Sequence, residues 1–172
     1  DQRTAEESAG DQQQRVSRRK VGCRGPGAIG RQAMRQGLDN VIFAGFVSDR
    51  EKMALFRLCR AVVFPSYLRS EAFGVTLLEG AMSSRPLISA EVGSGTSHVN
   101  IHGETGLVVP PGNSRALREA MDELHGDADK ARRMGARARL RYEQLFTGSR
   151  MGERYADAYH RILAAQPRAA SA

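Results

Sequence analysis

The 172-residue sequence has no tryptophan, only two cysteines (Cys23 and Cys59), and no run of about 18 apolar residues. Two cysteines are too few for a disulfide scaffold or a cysteine zinc site, and a reducing cytoplasmic location is therefore expected. The lack of a long apolar run excludes a membrane-spanning helix of ordinary length. The first residues are polar, so no secretory leader is expected in the chain as it stands.

Acidic charge is scarce at the two ends of the chain. The net charge of +7 divides into +3 over residues 1–40, −1 over 41–126 and +5 over 127–172. Such ends suit anionic partners, and they equally suit solvated arginines on surface helices. The same two readings hold for the basic stretch Lys130–Arg141, which predicts either peripheral contact with a membrane or a solvated face. Interleaved aromatics and nucleic-acid motifs are lacking, so nucleic acid is not expected as a partner.

Composition predicts three segments along the chain. Residues 1–19 are polar and are expected to be a flexible N-terminal segment. Residues 20–147 are expected to form one Rossmann-like domain. Residues 148–172 are expected to form a C-terminal helix and tail.

Short apolar runs alternate with helical stretches in the predicted domain. The predicted strands are Val41–Ala44, Ala61–Phe64, Leu87–Ser89 and Gly106–Val109. The predicted helices are 28–37, 49–59, 74–83, 115–125, 127–146 and 148–164. Continuous apolar strands are usually buried on both faces, as in a parallel sheet. The alternation therefore predicts the α/β class, with a single Rossmann-like doubly wound parallel sheet and extra C-terminal helices.

Two helices have predicted buried sides. In the helix over 49–59 the candidates are Met53, Leu55, Phe56 and Leu58. In the helix over 127–146 they are Met134, Ala138, Tyr142 and Leu145, which recur at helical spacing.

The loop after the second predicted strand carries one glutamate before the next helix and one inside it. If that helix begins near Gly74, Glu79 lies about 7 Å along the axis, too far from Glu71 for a close acid–base pair. The first-turn amides near Gly74, Val75 and Thr76 form an anion site between them. A nucleotide sugar fits this arrangement, with its sugar hydroxyls at one glutamate, its diphosphate at the amides and its ribose hydroxyls at the other glutamate. The alternative is that Glu71 only caps the helix and Glu79 lies on its surface.

Ordered motifs extend this pattern along the chain. They are Asp39–Gly45, Val63–Ser66, Glu71–Glu79, Gly103–Gly112 and Phe146-Thr147. With the two glutamates eight positions apart (E-x7-E), residues 39–147 resemble the C-terminal half of a retaining GT-B glycosyltransferase of family 4, the glycosyl transferases group 1 domain. The resemblance implies transfer of a hexose-type sugar from a UDP- or GDP-sugar to a glycan or lipid-linked acceptor, as in polysaccharide biosynthesis.

The resemblance implies which residues hold the donor sugar. Glu71 is the candidate catalytic residue and would hydrogen-bond the sugar hydroxyls near the reaction centre. The backbone amides of Phe73 and Gly74 would meet the same sugar.

The nucleotide end of the donor is assigned in the same way. The amides of Val75 and Thr76 would hold the diphosphate, and Glu79 would bind the ribose hydroxyls. Phe46 and Val47 would frame the base. The family normally needs no essential metal, so the resemblance implies neither a metal nor another cofactor.

The chain departs from the family pattern in its extent. It has room for one Rossmann-like domain, so we expect the family's N-terminal acceptor domain to be missing here or to be supplied by a partner chain. The basic residues Arg18, Arg19 and Lys20 stand where a strand should be, so the family's diphosphate-clamping basic pair is not matched. We therefore expect the chain to be inactive alone. Two alternatives remain open: the donor-binding half of a transferase, or a non-catalytic domain for nucleotide-sugar binding or subunit docking.

Three further short segments also carry expectations. Thr96 or Ser97 would contact the sugar, or else belong to a flexible loop. His98 and His102 are four apart but are expected to be solvated, because Gly103 and the following strand argue against a shared helix. At Ser84-Arg85 the family often has a glycine, and no functional change is expected from its absence.

Overall fold

The structure, a computed structural model, describes residues 27–165. The predicted flexible segment 1–19, with Arg18 and Arg19, and Lys20 lie outside the described residues. Two compact units divide the chain, residues 1–49 and residues 50–172. No helix within 27–165 is both long enough and apolar enough to cross a membrane.

The described part of the first unit contains helix α1, Ala28–Arg35. The helix ends as predicted at Gly37, which has φ +66°, and the Leu38 N–H donates to the Ala33 carbonyl at 3.0 Å. Residues 41–44, predicted to be a strand, are not in a strand, and that prediction is wrong. An apolar run becomes a strand only where a neighbour completes its hydrogen bonds, and none of the described strands pairs with it.

The other elements follow from Asp49 onward. They are α2 Asp49–Leu58, β1 Val62–Phe64, α3 Val75–Met82, β2 Leu87–Ala90, α4 Thr96–Val99, β3 Gly106–Val109, α5 Ser114–Gly126, α6 Ala128–Leu145 and α7 Gly148–Ala165. Apart from the short helix α4, each was predicted within about two residues, the usual spread of helix and strand ends.

The three described strands form one parallel sheet in the order β1-β2-β3. Alternate residues of β2 point to opposite faces. Leu87 packs with Leu77 of α3, whereas Ile88 packs with Leu124 of α5 and Met134 of α6. Helices therefore cover both faces, which confirms the predicted doubly wound α/β sheet and explains why its strands are continuously apolar.

A buried polar network joins β2 to β3. The Asn100 side chain is 1% exposed, and its amide nitrogen donates to Ser89 Oγ at 2.9 Å and to the Leu107 carbonyl at 3.1 Å. Its Oδ1 accepts from Thr105 Oγ1 at 3.0 Å. Because buried polar groups must be paired, this network fixes the loop between α4 and β3.

Two glycines allow close packing on the sheet. A Cβ on Gly106 would overlap the Leu87 carbonyl oxygen of the neighbouring strand. A Cβ on Gly80 of α3 would lie 2.8 Å from Val62 Cγ2 and 2.9 Å from Leu87 Cδ2. Helix α3 can therefore lie directly against β1 and β2 only because position 80 is glycine.

The buried side of α2 is narrower than predicted. Met53 and Phe56 are half-buried, but Leu55 and Leu58 are 51% and 83% exposed. A helix presents to the sheet only a stripe of its surface, and Leu55 and Leu58 lie off the stripe marked by Phe56.

The predicted core face of α6 is confirmed. Met134 and Ala138 are buried, and Tyr142 and Leu145 are half-buried. Gly135, on the same helix, packs so closely on the turn before β2 that a Cβ there would overlap the Ser84 carbonyl oxygen. Ser84 itself has φ +56°, a left-handed conformation that favours glycine.

Candidate functional site

Two loops meet at the carboxyl ends of β1 and β2, where ligands bind in open α/β sheets. The Gly95 N–H donates to the Ala72 carbonyl at 2.9 Å. A Cβ on Gly95 would lie 2.6 Å from Phe73 Cδ2 and 2.7 Å from the Ala72 oxygen. The loop after β2, which carries Thr96 and Ser97, is therefore packed against the loop that carries Glu71.

Glu71 is anchored at the start of α3. The Gly74 N–H donates to Glu71 Oε1 at 2.9 Å. Gly74 has φ +76°, and a Cβ there would lie 3.1 Å from Leu77 Cδ1 and 3.2 Å from Thr96 Cγ2. The capping alternative for Glu71 is thus seen in the structure, and one of the backbone donors expected to face a ligand has a protein acceptor.

The backbone N–H groups next to Gly74 have no hydrogen-bond acceptor among the described residues. The amides of Phe73, Val75 and Thr76 donate to no acceptor within the described part of the chain. The Leu77 N–H closes the first turn onto the Gly74 carbonyl at 2.8 Å. Orphan amides at a helix N-terminus carry the positive end of the helix dipole, so this turn can bind an anion.

Glu79 lies one turn further along α3 and is paired with a lysine of α2. The Lys52 ammonium lies 2.6 Å from Glu79 Oε1, and the two side chains are 35% and 24% exposed. The close contact of Gly80 with the sheet fixes which way this turn of α3 faces. Lys52 was not predicted, because a contact between residues 27 positions apart leaves no local pattern in the sequence.

An aromatic cluster supports the loop at Phe73. The Phe146 ring makes edge contacts with Phe73 at 5.9 Å and with His98 at 5.4 Å between ring centroids. The Arg141 guanidinium donates to the His98 carbonyl at 2.6 Å and lies 5.8 Å from the Phe146 ring centre. The Phe146 ring of the predicted motif therefore supports the loop that carries Phe73.

His98 and His102, expected to be solvated, are both exposed and have separate environments. His98 is in α4, which ends at Val99, so His102 is not on the same helix. His102 Nδ1 accepts from the Val108 N–H of β3 at 3.0 Å. Residues 27–165 contain no cluster of three or more His, Cys, Asp or Glu that could hold a metal ion.

The loop after β2 satisfies its own polar groups. Glu91 Oε1 accepts from Ser97 Oγ at 2.6 Å and from the Gly93 N–H at 2.9 Å, and these bonds lower the pKa of the Glu91 carboxyl. Thr96 is 1% exposed. The expected sugar contact from Thr96 or Ser97 is therefore not supported, since one hydroxyl is buried and the other is engaged by Glu91.

A model of the glycosyl transferases group 1 family matches residues 30–141, well over half of the chain. The chain belongs to that family. The match confirms the resemblance drawn from the glutamate pair and its flanking motifs, and with it the C-terminal half of a GT-B fold.

Two curated relatives of this chain are named for the transfer of mannose or rhamnose. It is 50% identical over 135 residues to the O-antigen chain mannosyltransferase C of Escherichia coli, covering 78% of this chain and 36% of the relative. It is 58% identical over 116 residues to the D-rhamnosyltransferase WbpZ of Pseudomonas aeruginosa, covering 67% and 30%. The chain thus spans about a third of the length of these relatives.

Solved glycosyltransferase-type structures share the fold. Sucrose-phosphate synthase from Thermosynechococcus elongatus superposes with a TM-score of 0.70 at 31% identity, covering 80% of this chain and 34% of that one. Anabaena HepE in complex with UDP also gives 0.70, at 26% identity, covering 77% and 35%.

Proposed function

We propose that this chain is the donor-binding part of a retaining glycosyltransferase that moves a hexose-type sugar from a nucleotide diphosphate sugar to a glycan or lipid-linked acceptor. The observation that carries the proposal is the first turn of α3. Its Val75 and Thr76 amides have no acceptor within residues 27–165. They lie between an anchored carboxylate, Glu71, and an ion-paired one, Glu79.

The proposed chemistry depends on the departing diphosphate. In a retaining transfer the sugar develops positive charge while negative charge builds on the leaving phosphate. The Val75 and Thr76 amides, aided by the dipole of α3, would stabilise that negative charge. Because these donors are held by a helix on a packed sheet, little reorganisation is needed when the charge develops.

The two carboxylates would orient the ends of the donor. The bond from Gly74 holds the Glu71 side chain in place, and within the described residues its carboxylate makes no other hydrogen bond. Glu71 would then accept from a sugar hydroxyl near the reaction centre. Glu79 would accept from the ribose hydroxyls, with Lys52 holding its carboxylate in one orientation.

The relatives support the class of donor and the setting. Two are named for mannosyl and rhamnosyl transfer, and HepE was solved with UDP and with UDP-glucose. We therefore propose a UDP- or GDP-sugar as donor and polysaccharide biosynthesis as the process. We further propose a cytoplasmic location at the inner face of the membrane, where the basic stretch Lys130–Arg141 would meet anionic headgroups.

Transfer itself would need an acceptor part. This chain matches about a third of its curated relatives, so we propose that an N-terminal domain or a separate partner chain supplies the acceptor site. Without it the chain would bind donor and transfer nothing.

The experiment is calorimetric titration of the chain with UDP- and GDP-sugars, comparing the unsubstituted protein with Glu79→Gln. Loss of charge-assisted hydrogen bonds to ribose should weaken binding about tenfold. Glu119→Gln is the matched control, because Glu119 is also ion-paired, to Arg115 at 2.9 Å, but is exposed on α5. Equal affinity of Glu79→Gln and the control would show that Glu79 does not bind the donor.

A second candidate function is a non-catalytic nucleotide-sugar-binding or subunit-docking domain, since the match covers only about a third of the curated relatives. The two are separated by a transfer assay with labelled donor after the N-terminal part of a full-length relative is added. Transfer restored by the added part, and lost in Glu71→Gln, supports the transferase. Donor binding without transfer in that mixture supports the second candidate.

A further inference from the structure

A recess of about 470 Å³ lies at the amino end of the sheet, on the edge opposite the candidate donor site. Arg60 lies just before β1, and Arg85 just before β2. Helix α6 contributes Arg132 and Arg139, so four arginines line the recess. The remaining lining residues are Ser84, Pro86, Ala131 and Ala136.

No carboxylate is among these lining residues. Arg132 is paired with Asp129, and Arg139 with Glu143, both within α6. Arg60 and Arg85 have no carboxylate partner in the described part of the chain. The recess therefore keeps about two unpaired positive charges, and held together they repel each other unless an anion compensates them.

Backbone carbonyls hold the deeper guanidinium groups in place. An Arg85 terminal nitrogen donates to the Arg57 carbonyl, and an Arg139 terminal nitrogen donates to the Met82 carbonyl. Fixed in this way, the unpaired Arg85 guanidinium cannot turn away from the other arginines of the recess into solvent.

Beside this charge lie buried donors without acceptors. Arg85 Nε and Ser83 Oγ are both buried, and neither has a hydrogen-bond partner among residues 27–165. Buried polar groups in native proteins are almost always paired, and a charged donor is the most costly to leave unpaired. The Arg85 guanidinium thus combines a fixed position, a positive charge and an unused donor.

We propose that this recess binds the phosphate or pyrophosphate group of a phosphorylated ligand. The planar guanidinium presents its donors in a fork that matches phosphate oxygens, and several arginines together suit a multiply charged group. The volume exceeds that of one phosphate, so the remainder of the ligand also has room. A soluble phosphorylated compound and an anionic lipid headgroup share this chemistry. The proposal does not rest on donor binding at α3.

The first test is NMR titration of the ¹⁵N-labelled chain with inorganic pyrophosphate at constant ionic strength. The Nε–Hε signal of Arg85 and the amide signals of Arg60 and Ser84 should shift with one common saturation curve. Signals of Arg115 and Arg150, which lie on α5 and α7, should not follow it. Absence of a response at Arg85, or equal shifts at every arginine, would overturn the proposal.

Substituted variants then distinguish pyrophosphate binding in the recess from general electrostatic attraction to the protein. Arg60→Gln with Arg132→Gln removes two exposed charges from the recess and should weaken pyrophosphate binding about tenfold. Arg115→Gln with Arg150→Gln removes the same charge elsewhere and should leave it unchanged. Equal weakening by both pairs would show that only net charge matters. Because all four side chains are exposed, both double variants should fold, which amide spectra will verify.

The source of the phosphate is assigned by vesicle sedimentation. If phosphatidylcholine vesicles bind the chain only when they contain phosphatidylglycerol, and pyrophosphate displaces it, the recess takes a headgroup. If neither vesicle binds while the NMR response is present, the ligand is a soluble phosphorylated compound. Vesicle binding that the Arg60 and Arg132 double variant retains in full would contradict a headgroup at this recess.

Discussion

Two of the segments that carry the family pattern use their polar groups in opposite ways. In the segment Glu71–Glu79 the amides of Val75 and Thr76 have no acceptor within residues 27–165. In the segment Gly103–Gly112 the Thr105 hydroxyl is fully buried and is bonded to Asn100 and to the backbone at Ile101. A shared motif can thus mark a binding surface in one place and a packing requirement in another.

The comparison has a direct consequence for substitutions. Changes at the buried positions of the second segment, or at the Asn100 side chain bonded to it, should strongly destabilise the protein, because these groups join β2 to β3. Changes in the first should leave the fold nearly intact and act on ligand binding. The following experiments test that contrast, from the largest expected effect to the smallest.

Gly106→Ala should be the most damaging single change. The added Cβ would overlap the Leu87 carbonyl oxygen, so β3 could not keep its register on β2. We expect a loss of about 4 kcal/mol or more in the free energy of unfolding. Urea denaturation will measure it, with Gly126→Ala as control, since a Cβ on Gly126 meets no atom within 4 Å. A Gly106 variant as stable as the control would show that the strands do not approach so closely.

Asn100→Ala should cost about 2–4 kcal/mol, because it removes the buried hydrogen bonds that the Asn100 side chain makes with Ser89, Thr105 and Leu107. Asn113→Ala offers the comparison: its exposed side chain accepts only from the Ala116 N–H as the N-cap of α5, and its loss should cost about 1 kcal/mol. Thermal and urea unfolding of the two variants will measure the difference. Similar losses would mean that the buried network contributes little.

Glu71→Ala should cost about 1 kcal/mol of stability, the value of the bond it accepts from the Gly74 amide. Glu104→Ala in the other segment should change stability by less than about 0.5 kcal/mol, because Glu104 is exposed. Urea unfolding will measure both. A loss at Glu71 as large as that at Asn100 would remove the distinction between the two segments.

The smallest expected effect is a pH dependence at Glu91. Its pKa is lowered in the folded protein by the Ser97 hydroxyl and the Gly93 amide. A carboxyl with a lowered folded-state pKa stabilises the fold above its unfolded pKa, and that contribution is lost as pH falls through the folded-state value. The stability difference between the unsubstituted chain and Glu91→Gln should therefore shrink as the pH falls below the ordinary pKa of a glutamate carboxyl. A difference that stays constant over this range would contradict the assignment.

Local patterns made most of the fold predictable. Apolar runs and caps placed the three described strands and all helices except α4, since these signals need only neighbours in sequence. The same reasoning failed at Val41–Ala44, where strand formation depends on a partner rather than on composition. It also failed at Leu55 and Leu58, because the width of a buried stripe is set by packing.

The site was predictable in its order along the chain and not in its contacts. The sequence placed Glu71 before α3 and Glu79 within it. It contained no sign of Lys52 beside Glu79, because the pair is formed by two helices meeting in space. The arginine recess was not predicted for the same reason. Arg60 and Arg139 are far apart in sequence and come together only in the fold, at the amino end of the sheet.

The bond between the Val108 amide and His102 also bears on self-association. β3 is the last strand of the described sheet on its side, and an open strand edge invites pairing with a second molecule. Because the His102 imidazole already accepts from the Val108 N–H, that amide is not available to an incoming strand. Continuous strand pairing, and hence polymerisation, through this edge is therefore disfavoured.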